Sequence, residues 1–98
     1  MKLKEFLIDG KNFSNLKGFY EEVEKSLTME TKDFTMGRNL NAFNDILSGG
    51  FGKFEYEESI ILIWKNLEKS KKDLTSDEIK RIIKIIESHK DHIKFIHD

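Results

Sequence analysis

Asn41, Asn44, Asp45 and Ser48 recur at helical spacing and so share one helix face, on which Asp45 is the single ionisable group. A carboxylate among small neutral side chains keeps its field undiluted. It can take paired hydrogen bonds from a guanidinium group, as a phosphate oxygen pair does. Most helical Asp residues are simply solvated, so the surroundings decide. Charged residues make up 36% of this chain, yet no Lys or Glu falls on this face. Gly37 precedes the segment and Gly49-Gly50 follows it, and residues without a Cβ let another surface approach closely. The chemistry indicated is docking into a cationic site.

The element that must carry this face is short. Leu40, Phe43, Ile46 and Leu47 supply its apolar side, Asn39 its N-cap, and Gly49-Gly50 its stop. Upstream, Leu3 to Ile8 reads as a strand ended by Asp9-Gly10. Ser14 or Asn15 then caps a helix with Leu16, Phe19, Tyr20, Val23 and Leu27 on one side, and Phe13 is placed to pack back on its first turn. Thr28 to Met36 has no period and reads as a loop, and Gly52 to Glu58 as a charged connection. Ile60 to Trp64 is an unbroken apolar run, which predicts a strand covered on both faces. Asn66 to Leu74 suits a short helix. Thr75 to Glu78 is a capping box before a helix with Ile79, Ile82, Ile83 and Ile86, and Ile93 to His97 closes the chain as a strand. Strands separated by helices require crossovers, hence an α/β fold with a small parallel sheet.

The segment Gly37 to Gly52, GRNLNAFNDILSGGFG, resembles the barstar family of intracellular ribonuclease inhibitors. The family pattern G-x-N-L-D-A-L-x-D is met by Gly37, Asn39, Leu40, Ala42 and Asp45, with Phe43 for the second Leu. Gly49-Gly50-Phe51-Gly52 is similar to the branch that ends this helix in GGFG. Ile61 to Ser70 is similar to the family's second strand and the short helix after it, and Ile8 to Lys11 to its start. The resemblance implies one domain over residues 1–98, with a three-stranded parallel sheet and about four helices. It also implies a non-enzymatic inhibitor whose partner is a basic extracellular-type ribonuclease, or a toxin nuclease if the chain is an immunity protein. Asp45 would enter the nuclease active site at a phosphate position. Phe34, Thr35, Met36, Asn41, Asn44, Ser48 and Gly49 would join it in partner binding, with Glu87, late in the last helix, near the family's further acidic contacts. The family's best-known member carries an acid and a tryptophan where Asn41 and Asn44 stand, and two tyrosines where Thr35 and Met36 stand. Those departures bear on which partner is recognised. A non-inhibitory interaction module on the same fold is the alternative.

Bulk properties fit this frame. Ninety-eight residues make one domain with one core. The net charge is −1, but Glu30 to Trp64 holds three basic and six acidic residues, against nine and seven from Lys65 to Asp98. An acidic middle suits a basic partner and disfavours direct nucleic-acid binding. Without cysteine there is neither a disulfide framework nor a thiol nucleophile. No apolar run spans a membrane and no secretory signal is visible, so a cytoplasmic protein that is a monomer when free is expected.

Three further signals are weaker. Gly49 to Lys53 is faintly like a phosphate loop, but it closes a helix where such loops open one. His89, His92 and His97 lack the converging acids or thiols of a zinc site, so no metal or cofactor is expected. A His near a helix C-terminus is more simply explained by the dipole. Phe51 is expected to plug the core. No Ser–His–acid triad is indicated by spacing.

Overall fold

A computed structural model of the chain describes residues 3–28 and 39–98. Three strands, β1 (Lys4–Asp9), β2 (Ile60–Lys65) and β3 (Ile93–His97), form a parallel sheet in the order β1-β2-β3. Between β1 and β2 run a 3-10 turn (Gly10–Asn12), α1 (Leu16–Leu27) and α2 (Leu40–Ser48). Between β2 and β3 run α3 (Leu67–Asp73) and α4 (Ser76–Ser88). This is the α/β architecture expected, with four helices and three strands among the described residues. Residues 29–36 of the expected loop, with Phe34, Thr35, Met36 and also Gly37, lie outside the described residues.

Local signals set the helix starts. The Asn15 side chain accepts from the Gly18 N–H at 2.8 Å, and Asn39 accepts from the Ala42 N–H at 2.8 Å. At α4 the Thr75 hydroxyl accepts from the Glu78 N–H while the Glu78 carboxylate accepts from the Thr75 N–H, which closes the capping box.

One expectation is corrected. β2 is covered on one face, not on both. Lys4, Phe6 and Ile8 pair with Ile60, Leu62 and Trp64, and Ile60, Leu62 and Trp64 pair with Ile93, Phe95 and His97, so these residues share the helix-covered face. On the other face Leu7 pairs with Ile63 and Ile63 with Ile96, and Leu7 is 41% and Ile96 42% exposed. Topology supplies the reason. Strands laid down in chain order have no reversal, so two crossovers of the same hand put their helices on the same side. An apolar run alone cannot register this.

The covered face holds the core. The Phe19 ring of α1 stacks on Trp64 of β2, with centroids 5.5 Å apart, and meets Phe43 of α2 edge-on at 5.2 Å. Phe13 packs against both Phe19 and Trp64. Phe43, Ile46 and Leu47 are therefore held from beneath, and the opposite side of α2 is fixed in space.

Candidate functional site

α2 is nine residues long, and its two ends are fixed differently. Asn39 caps the start. At the end Gly49 takes φ +96°, a region that L side chains rarely adopt, and its N–H donates to the Ile46 carbonyl at 3.0 Å. The chain then folds back on the helix. The Gly50 N–H donates to the Phe54 carbonyl at 2.9 Å, and the Glu57 N–H donates to the Ser48 carbonyl at 2.7 Å. Residues 49–58 thus brace the C-terminal turn of α2 and fix its angle to the sheet.

The buried side of this helix leaves Asn41, Asn44 and Asp45 exposed and Ser48 half-buried, in one stripe. Asp45 takes no hydrogen bond or ion pair from any described residue. Ser48 is turned to its own helix, with its hydroxyl 3.4 Å from the Asn44 carbonyl. Gly49 is buried beneath the carbonyl of Glu55, so its place is in the turn. Gly50 is exposed and has open space where a Cβ would point, so it is the glycine that leaves the approach clear. Phe51 is half-buried and packs on the core, as the plug reading expects.

Glu87 stands apart from this stripe. It lines an open groove of about 410 Å³ with Leu67, Phe95 and His97, between α3, α4 and β3. The residue that α4 brings to α2 is instead His89, its C-cap. Its Nε2 lies 2.8 Å from Oδ1 of Asn44, and its Nδ1 lies 3.1 Å from Nε2 of His92. His92 is buried, and its Nδ1 is 3.2 Å from the carbonyl of Glu58. Burial, reinforced by His92, lowers the proton affinity of His89, and the Asp91 carboxylate opposes this. Sequence reasoning placed the two histidines at a helix end but could not link them to a residue 45 positions earlier. No short-range pattern carries that contact.

Among the described residues no group of three His, Cys, Asp or Glu is arranged to hold a metal ion, and no helix is long and apolar enough to cross a membrane. Fold and surface together define a small parallel α/β domain, sheathed on one side, that presents a short helix face with one acid unpaired among the described residues. Residues 3–95 match the family described as Barstar (barnase inhibitor), and the chain belongs to that family. Members of this family are inhibitors, not enzymes. A search of curated proteins found no match.

Proposed function

We propose that this protein inhibits a basic ribonuclease by seating the α2 face in its active site, with Asp45 at a phosphate position. The single observation that carries the reading is the exposed carboxylate of Asp45, unpaired among the described residues, on an otherwise neutral stripe. An acid already paired with a lysine of its own chain would have to give up that partner on binding. Asp45 has none among the described residues, so its full field is directed at a visitor. Desolvated against arginine and lysine, such a group belongs with the strongest single contacts of protein interfaces, a class in which barstar-type pairs stand at the upper end.

Asn41, Asn44 and Ser48 would fill neighbouring positions, with Gly49-Gly50 shaping one end. Phe34, Thr35 and Met36 would seal the rim, and Glu87 would touch the partner only if the interface wraps around α4. An interface of roughly 1,600 Å² suffices for stable binding. The same surface would serve an immunity protein directed at a toxin nuclease. The chain acts in this reading as a cytoplasmic monomer that binds protein and not nucleic acid or membrane.

The test is inhibition of RNA cleavage by small basic ribonucleases from the parent cell or its competitors. Asp45→Ala is expected to weaken inhibition by at least about 3 kcal/mol, over a hundredfold, without unfolding the protein. An alanine variant that inhibits as well as the parent would remove Asp45 from the interface. Binding to a basic protein whose catalysis is untouched would leave only the interaction-module reading.

A further inference from the structure

His89 and His92 form a chain of hydrogen bonds whose two ends are set by the groups they meet. At one end the Glu58 carbonyl can only accept, so Nδ1 of His92 carries a hydrogen. At the other end Oδ1 of Asn44 can only accept, so Nε2 of His89 carries one too. The central contact, Nδ1 of His89 to Nε2 of His92, needs one hydrogen more. Three hydrogens on two imidazoles is one above neutrality. The arrangement with Oδ1 against His89 therefore holds a single positive charge shared by the pair.

Removing that proton leaves two hydrogens for three contacts, and one solution satisfies all of them. The Asn44 amide turns over so that Nδ2 donates to Nε2 of His89. His89 then donates through Nδ1 to His92, which still donates to the Glu58 carbonyl. The heavy atoms need no other movement, because the two ends of an amide are nearly the same size. Asn44 is exposed and stands one residue before Asp45, so the amide end not used by His89 lies on the stripe.

We propose that His89 is a positioning residue for the α2 face. It makes Asn44 show its NH2 group outward when the histidine pair holds a proton and its carbonyl oxygen outward when the pair is neutral. This rests on the reading that α2 meets a cationic partner, and it gives that contact a pH dependence. Arginine and lysine donors gain an acceptor beside Asp45 in the neutral state. In the protonated state they meet a donor and an added positive charge.

The surroundings act on the change from both sides. Burial and mutual repulsion hold His89 below its ordinary value, against Asp91 in the same turn. From α2 the nearby charge is Asp45. From the segment before β2 come Glu57 and Glu58, and the Glu58 carboxylate is already taken by Lys4 at 3.4 Å and the Glu55 N–H at 2.8 Å. From the turn after α4 and from β3 come Lys90 and Lys94, which border the same shallow depression as His92. On α4, Glu87 faces the groove on the other side.

Nitrogen-15 NMR of the free, full-length protein across mildly acidic pH tests the device without any partner. The expected result is a titration of the His89 ring nitrogens, with the Asn44 side-chain amide signals moving at the same midpoint. Asn44 signals that stay flat while His89 titrates would overturn it. In a second arm, the parent's affinity for a basic ribonuclease should rise about tenfold as pH rises through that midpoint, the scale of one hydrogen bond. His89→Ala and Asn44→Ala should each flatten this rise. Binding that depends on Asp45 but keeps its full pH dependence in both variants would sink the positioning role while leaving the inhibitor reading intact. If no ribonuclease binds, that reading fails and the free-protein titration decides the positioning role alone.

Discussion

A Cβ on Gly49 would collide with the backbone carbonyl of Glu55, because the chain leaving α2 doubles back directly over its last turn. The position also requires φ +96°. Both constraints act on the segment that sets the angle of α2, so Gly49→Ala is expected to cost about 2–4 kcal/mol in urea unfolding. Gly50 has φ +90° but open space around it, and Gly50→Ala should cost only about 1 kcal/mol. Equal losses at the two positions would mean that backbone conformation alone matters and that the contact with Glu55 does not brace the helix.

The one-sided sheet makes a separate prediction. Leu7 and Ile96 lie on the open face, whereas Leu62 is fully buried on the other. Leu7→Lys and Ile96→Lys should each change stability by within about 0.5 kcal/mol. Leu62→Ala should cost about 2–5 kcal/mol. A large loss at Leu7 would show that something covers the open face in solution.

These two cases mark where reading the sequence succeeds and where it stops. Asn39, the Thr75–Glu78 pair and a cap at Ser14 or Asn15, which the structure places at Asn15, were legible because a cap is a contact over two or three residues. Ile93–His97 was legible as a strand for the same local reason. The coverage of β2 was not, because it depends on the order of all three strands and the hand of both crossovers. The exposure of Asp45 beside neutral neighbours follows from helix periodicity, so that much of the α2 face was readable. The His89–Asn44 contact was not readable, nor was the place of Glu87 in the groove beside Phe95, which the turn of α4 sets. Contacts between elements distant in sequence leave no periodic trace.

Behind the site, the indole N–H of Trp64 donates to the hydroxyl of Ser70 at 3.2 Å, and both residues are fully buried. This bond joins β2 to α3 under the aromatic cluster that supports α2. Ser70→Ala would leave a buried donor without a partner and should cost about 1–3 kcal/mol. In a Trp64→Phe background the donor is already gone, so the same change should cost clearly less. A double-mutant cycle with no coupling would show that water or another acceptor replaces Ser70.

Acid should destabilise the fold in two stages. The Lys11 backbone N–H, and next the Asn66 amide, hold the Asp9 carboxyl below its ordinary range, and the Glu55 N–H does the same for Glu58. Groups with lowered folded-state values bind protons more readily when unfolded. Their stabilisation is complete above the unfolded carboxylate range, near pH 4, and is lost as pH falls through the folded values. His89 follows the same sign, since burial lowers it too, but its unfolded value is about 6.5. Its contribution is complete above that pH and shrinks as the solution is acidified toward its folded value. Urea unfolding from about pH 8 down to pH 3 should therefore show a first decline beginning below about 6.5 and a second beginning near 4. His89→Ala should flatten the first, and Asp9→Asn should shallow the second. If the first decline survives in His89→Ala, its origin is another group and the partly buried histidine is not what makes the fold sensitive to mild acid.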